Sequence, residues 1–113
     1  MDYLNCDKFD KPRRLRLGAM DIIDFEKTSG VTIIQMSLNP SATSMTTVLT
    51  LLWAAMKWED RGLTLQRVGL LVDEFVTKGG NFLELVDLCS EIIKESRIFG
   101  KAAGDSGNAK AGE

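Results

Sequence analysis

The chain has 113 residues, of which 44% are hydrophobic and 27% are charged, a balance typical of one small globular domain with a modest core. The formal net charge of -2 argues against a dedicated nucleic-acid-binding protein, because phosphate neutralisation requires a clustered positive surface. No stretch approaches the roughly 20 apolar residues that a helix needs to cross a bilayer, so we expect no membrane association.

Residues 1 to about 16 are predicted to form an irregular or extended lead-in, because Pro12 lacks an amide donor and disfavours helical geometry at Lys11. The start, MDYLNCDKFDK, carries acids where a secretory signal has a basic and then an apolar region, so we expect a cytoplasmic protein. Acids also interrupt the cations of this segment, which we interpret as a solvated or partner-facing strip. These cations are Lys8, Lys11, Arg13, Arg14 and Arg16.

The first of four predicted helices covers about residues 17–28. Its apolar side carries Ala19, Ile22 and Ile23, with Phe25 at the edge, whereas Asp21, Asp24 and Lys27 fall elsewhere. Gly30 supplies the permissive residue for its end. Residues 31–39 then alternate apolar and polar side chains as a strand would, but they have no clear partner strand, so we predict an extended connection.

The second predicted helix, about residues 45–60, follows the break at Asn39-Pro40, with Ser41 or Ser44 as its cap. Apolar residues occupy well over half of its circumference: Met45, Val48, Leu49, Leu51, Leu52, Trp53, Ala55 and Met56. Such a helix must be covered on several sides. We therefore expect it to be the central helix of a bundle or part of an assembly interface, through which the protein forms a homo-oligomer.

The third predicted helix, about residues 65–78, begins at the cap Thr64, and the last helix begins at Asn81 with Glu84 three residues on, a capping-box-like pair. Their apolar faces are Leu65, Val68, Leu71, Val72, Phe75 and Val76, and then Phe82, Leu85, Val86, Cys89, Ile92 and Ile93. The short Gly79-Gly80 connection indicates antiparallel neighbours. The sequence thus predicts an all-α fold, a small bundle of about four helices in residues 1–99, followed by a disordered tail or linker in residues 100–113.

Nothing in the sequence resembles a catalytic, cofactor or metal site. The chain has no His, the most common general base and zinc ligand, and its acids fall mostly on the wet faces of the helices. The two cysteines, Cys6 and Cys89, are expected to be free thiols, with a disulfide between them as the alternative. A helix-turn-helix in residues 65–99 is disfavoured, because its second helix would present acids to DNA phosphates. We therefore predict a non-enzymatic protein, with a small hydrolase or transferase as the remote alternative.

Several apolar residues fall away from the core faces or at their edges and form our hypothesis for a partner-binding surface. Single exposed leucines are ordinary, but several in so small a domain indicate contact with another protein. Adaptable methionines and aromatic rings suit a groove that accepts amphipathic helices. The predicted contributors are Trp53, Trp58, Met45, Met56, Leu70 and Leu83, with Met36 as a further contributor.

Four segments carry a resemblance to a known family: RLRLGAMDIIDFEKTSG, LLWAAMKWED, GLTLQRVGLLVDEFV and NFLELVDLCSEIIKES. Their features are a Glu-Lys-x-x-Gly helix end, a Leu-Trp-Ala-Ala helix, a Leu-Thr-Leu helix start with Leu-Val-Asp after it, and a closing amphipathic helix. In this order and spacing, over about residues 14–99, the chain resembles the tail assembly chaperones of long-tailed bacteriophages and prophages.

The resemblance implies a mostly helical protein in the cytoplasm of the bacterial host that binds the helix-rich tape measure protein. Such a chaperone keeps the tape measure protein soluble and helps to recruit tail tube subunits before the tube polymerises. It also implies that a programmed frameshift could join a second domain at residues 100–113, where Gly100-Lys101 is compatible with a slippery codon pair. The alternative is a small helical adaptor or regulator unrelated to phage tails.

Overall fold

The structure is a computed structural model that describes residues 3–96, and this part of the chain is mostly helical. Two short strands, β1 (Leu4–Cys6) and β2 (Arg13–Leu15), precede five α-helices and one 3-10 turn at Pro40–Ala42. The helices are α1 (Ala19–Ser29), α2 (Ile33–Leu38), α3 (Met45–Met56), α4 (Leu65–Thr77) and α5 (Phe82–Glu95). None of these helices combines the length and the apolar character needed to cross a membrane. The predicted tail or linker at 100–113 lies outside the described residues.

The N-terminal segment, predicted to be irregular or extended, is an antiparallel hairpin, and the pairing of its two strands was not predicted. Leu4 pairs with Leu15 and Cys6 pairs with Arg13, and the inward-facing side chains of Cys6 and Leu15 enter the core. The outer edge of β2 is covered by side chains that follow α3: the Arg14 N–H donates to Glu59 Oε1 (3.1 Å), and Trp58 Nε1 donates to the Arg14 carbonyl (2.9 Å). Glu59 and Trp58 therefore take the place of a third strand on the β2 edge.

The first helix, α1, ends as predicted, with Gly30 in the left-handed conformation (φ 76°), but its buried face differs from the predicted one. Phe25 is fully buried, whereas Ile23 is exposed. Asp21, expected off the apolar face, is buried: it accepts hydrogen bonds from the Gly18 N–H (3.0 Å) and from Lys57 Nζ (2.9 Å). The ion pair with Lys57 compensates the charge of a carboxylate on the inner face, which the helical pattern alone does not reveal.

Residues 33–38 form the short helix α2, so the predicted extended connection was wrong. Thr32 and Gln35 form a reciprocal capping box: the Thr32 hydroxyl accepts from the Gln35 N–H (3.0 Å) and Gln35 Oε1 accepts from the Thr32 N–H (2.9 Å). Ile33 and Met36, three residues apart, are buried. The helical spacing of this pair prevails over the apolar–polar alternation of residues 34–39.

The central element of the domain is α3, which contacts α1, α4, α5 and β2. Its cap is Ser44, whose hydroxyl accepts from the Thr47 N–H (3.2 Å). The predicted central position of this helix is confirmed, although the helix ends at Met56 instead of residue 60. Its fully or almost fully buried residues are Val48, Thr50, Leu51, Leu52, Ala54, Ala55 and Met56. The expected homo-oligomer through this helix stays a prediction.

Helices α4 and α5 begin at the predicted caps, Thr64 and Asn81, and the Asn81–Glu84 capping box is present. Both helices pack on α3 more extensively than on each other. Their Gly79–Gly80 connection requires glycine at both positions: Gly79 has φ 104°, and a Cβ on Gly80 would lie 2.3 Å from the Phe75 ring. Cys6 and Cys89 are both buried free thiols, so the alternative of a disulfide between them is not realised.

Candidate helix-binding groove

The structure places four of the predicted partner-binding residues inside the domain or in its internal contacts. Met56 is buried in the core, as is Met36. The Trp53 ring is half-buried, and its Nε1 donates to the Leu63 carbonyl (3.1 Å), which fixes the turn between α3 and α4. Trp58 is half-buried as well and holds the hairpin through its bond to Arg14. These rings therefore have structural contacts within the chain.

Trp58 is also the centre of a cluster of aromatic and guanidinium groups on the outer face of the hairpin. The guanidinium carbons of Arg14 and Arg16 lie 5.4 Å and 4.6 Å from the Trp58 ring centroid, within the range of cation–π attraction. Tyr3 stacks at 6.4 Å from Trp58 and 5.2 Å from the Arg14 guanidinium. This part of the predicted basic strip is thus bound to neighbouring side chains of the same domain.

A second internal cluster involves Arg13, which is buried instead of solvated as the strip was predicted to be. Its guanidinium donates to Asp10 (3.0 Å) and to Asp60 (3.1 Å). Burial disfavours the charged guanidinium, but the bonds to Asp10 and Asp60 together outweigh it and raise the pKa of Arg13. The hydrogen bond from Arg13 lowers the pKa of Asp10 below its usual value. These ion pairs connect the hairpin to the turn after α3.

Lys57 forms the corresponding link to α1. Its ammonium lies 2.9 Å from a carboxylate oxygen of Asp21 and 2.9 Å from one of Asp24. Burial by itself favours the neutral amine, but the two carboxylates outweigh it and raise the pKa of Lys57. The residues that follow α3 are therefore occupied by contacts within the domain.

The opposite end of α3 contributes to an open groove with α4, and here two predicted residues come together, Met45 and Leu70. The groove has a volume of about 410 Å³. It is lined by Met45, Leu49, Gln66, Gly69, Leu70, Val72 and Asp73. Met45 is 45% exposed and Leu70 is 56% exposed. Leu83, 67% exposed on α5, does not line this groove.

Helix caps set the geometry of the groove. Ser44 caps α3, which places Met45 in the first helical position, and Thr64 caps α4 by accepting from the Arg67 N–H (3.1 Å). The apolar face of α4 then packs on α3 through Val68, Leu71 and Val72, which are buried. Leu70 lies on a side of α4 that this packing leaves exposed, because it precedes the buried Leu71 by one residue and its side chain is therefore turned by about 100° around the helix.

Gly69 lies in the groove and was missed by sequence reasoning. It is inside α4, with four residues before it and eight after it, where glycine is about 1 kcal/mol less favourable than alanine. Gly69 does not have a positive φ, and a Cβ built on it meets no atom of residues 3–96 within 4 Å, so neither backbone conformation nor packing in this part of the chain requires glycine here. A glycine in the interior of a helix was the available signal. It lies next to the exposed side chains of Met45 and Leu70 and leaves open space at the surface of the groove.

Charged residues border the groove. Leu70 and Asp73 also line an adjacent depression with Arg67, Glu74, Thr77 and Lys78. Arg67 makes a single long ion pair with Asp10 (3.8 Å), and both side chains are partly exposed, so the contact holds the Arg67 guanidinium weakly. The exposed side of α4 thus has a cation in its first half and acids in its second half.

Within residues 3–96, no group of three His, Cys, Asp or Glu side chains is placed to hold a metal ion. Burial raises the pKa values of the Cys6 and Cys89 thiols, which disfavours the nucleophilic thiolate. In comparisons with known proteins, no family model, no curated protein and no solved structure matches the chain.

Proposed function

We propose that this chain is a non-enzymatic binding protein that holds an amphipathic helix in the groove between α3 and α4. The observation that carries the proposal is the open space at the Cβ position of Gly69, beside the exposed side chains of Met45 and Leu70. An apolar groove with a few polar groups on its border is the usual receptor for such a helix.

The small residue in the groove favours a helix as the ligand. Helices pack at 8–10 Å between their axes, and the closest approach occurs where one of them has a small residue. Gly69 is the small residue, and Met45 and Leu70 are the flexible apolar side chains beside it. Because the unbranched methionine side chain adapts to partners of varied shape, a groove containing Met45 can accept helices of different sequence.

The resemblance to tail assembly chaperones identifies the partner within this proposal. The bound helices are those of the tape measure protein, which the chaperone keeps soluble in the host cytoplasm before the tail tube forms. Recruitment of tail tube subunits would use other surfaces of the domain or the segment after residue 96. A solvent-exposed apolar groove fits this role, because a chaperone must bind apolar surface and then release it.

The proposal is tested by co-expressing the full chain with the tape measure protein of the same genome. We measure the soluble fraction of the tape measure protein and its co-purification with the chain. Complete burial of a leucine side chain contributes about 1.5–3 kcal/mol, and Leu70 is 56% exposed before binding, so Leu70→Ser should weaken capture roughly four- to seventeenfold. Leu83→Ser is the matched control, because Leu83 is equally apolar and exposed but lies outside the groove.

Capture by the wild type and by Leu83→Ser, with loss in Leu70→Ser, supports the groove as the binding site. Equal loss in both variants would place binding elsewhere on the domain. An insoluble, uncaptured tape measure protein would refute the chaperone role and favour the helical adaptor.

A further inference from the structure

We propose that, in the absence of its partner, the groove is covered by α4 of a second copy of this chain, in an antiparallel pair related by a two-fold axis near Gly69 and Leu70. Its role as a cover rests on the proposed function, whereas the existence of the pair does not. The side of α4 that does not pack on α3 is complementary to itself in shape and in charge.

The shape of this surface is that of a projection beside a recess. Leu70 is 56% exposed and projects from α4, while the neighbouring Gly69 leaves open space above the helix. When two α4 helices lie antiparallel about the Gly69–Leu70 midpoint, Leu70 of each copy faces Gly69 of the other. A two-fold pair forms this contact twice, since both copies use the same patch.

The charges of α4 favour the same arrangement. Arg67 lies 2.5 residues before the proposed axis and Glu74 lies 4.5 residues after it, in a helix that spans Leu65–Thr77. The difference of two residues is about 3 Å along the helix, at 1.5 Å per residue, which an arginine side chain can reach. Each Arg67 therefore faces Glu74 of the other copy, with Asp73 beside it. A parallel pair would place like charges together.

Among residues 3–96, the contacts of these groups leave them available for the pair. Arg67 has a long contact with Asp10 (3.8 Å), while Asp10 is held more closely by Arg13 (3.0 Å). Asp73 and Glu74 are exposed. An interface formed by one helix of each copy buries less surface than the roughly 800 Å² per partner of a stable interface, so the pair should be weak and concentration-dependent. A partner helix that binds the same groove can then displace the second copy.

The test is the oligomeric state of the full chain, measured by sedimentation equilibrium over a range of concentrations. We expect a reversible monomer–dimer equilibrium for the wild type. Arg67→Glu alone and Glu74→Arg alone should be monomeric, because each places like charges opposite one another in its own dimer. A mixture of the two variants should form a heterodimer, because each of its two contacts then joins an arginine of one chain to a glutamate of the other. Lys94→Glu, an exposed charge change on α5, is the control and should dimerise like the wild type.

A wild type that stays monomeric at all concentrations would overturn the inference, as would dimerisation that is unchanged in the two single variants. Homodimers of the variants with no gain on mixing would assign the dimer to another surface.

The cover role is tested by titrating the dimer with a purified helical fragment of the tape measure protein. Formation of a one-to-one complex at the expense of dimer supports displacement. A ternary complex that retains both copies refutes it. A dimer that binds no fragment would refute the proposed function and leave the α4 pair intact.

Discussion

Substituting Gly69 by alanine should have opposite effects on stability and on binding. The position lies in the interior of α4, and a new Cβ meets nothing within 4 Å, so alanine adds no steric conflict within the domain. Alanine is about 0.8–1.0 kcal/mol more favourable than glycine in a helix interior. For a domain of this size, we expect a rise of about 4–8 °C in the melting temperature.

The same methyl group occupies the space into which we place a bound helix. Gly69→Ala should therefore weaken the capture of the tape measure protein and the self-association of the chain. Gly62→Ala is the matched control, because Gly62 also has open space around its Cβ position but lies in the turn before α4.

Thermal unfolding by circular dichroism and co-purification, measured on the same preparations, separate the two effects. A more stable Gly69→Ala protein with unchanged capture would refute close approach at this position. A less stable protein would show that the environment of Gly69 is misassigned.

Three further predictions concern the internal contacts. The hydrogen bond from Arg13 lowers the pKa of Asp10, and bonds from the Arg14 amide and guanidinium lower the pKa of Glu59. The stability that these two carboxylates contribute is therefore present above about pH 4.5 and is lost as the pH falls through their folded-state pKa values. Asp10→Asn should make the urea midpoint less sensitive to pH below about pH 4.5. Trp58→Ala removes a hydrogen bond and two cation–π contacts and should lower the free energy of unfolding by roughly 2 kcal/mol in urea titrations while capture of the partner persists. The Cys89 thiol is fully buried, so thiol-labelling reagents should modify it at the rate of unfolding, and rapid labelling in native buffer would contradict its burial.

The elements that could be predicted from sequence are those whose signals are local. Thr64 and Asn81 are followed by helices with three- and four-residue apolar spacing, and both caps form the predicted bonds to backbone amides. The central position of α3 could be predicted because a helix that is apolar nearly all round has to be enclosed by other elements.

Two of the mispredicted features, the β2 edge and the burial of Asp21, depend on distant partners, whereas the signals for α2 are local. The β2 edge is completed by Glu59 and Trp58, which are 45 and 44 residues from Arg14, and no local pattern reveals that pairing. Asp21 is on the buried side of α1 because Lys57 compensates its charge from across the domain. In α2, a capping box and the Ile33–Met36 pair determine the structure of a segment whose alternation resembles a strand.

The groove could be predicted in part. Apolar residues that fall away from the core face of a helix are predicted to be exposed, and this rule selects Leu70 correctly. The same rule selects Leu83, which is also exposed but lies on α5, outside the groove. Met45 and Met56 both lie on the apolar arc of α3, and only the tertiary packing separates them, because the end of the helix at Met56 is covered and the start at Met45 is open. Sequence patterns do not show which end of a helix its neighbours leave uncovered.

The two ends of α3 differ in how far the domain satisfies their side chains. The residues that follow the helix, from Lys57 to Asp60, are bound to the hairpin and to α1 by ion pairs, an indole hydrogen bond and a stacked guanidinium. The first turn has caps for its backbone, but Met45 remains exposed, next to a helix that carries an open glycine and an exposed leucine. A domain stabilised at one end of its central helix can leave apolar groups uncovered at the other end, because the loss of burial there is offset elsewhere. This asymmetry allows α3 to be both the centre of the core and one wall of the groove in which we propose that a helix binds.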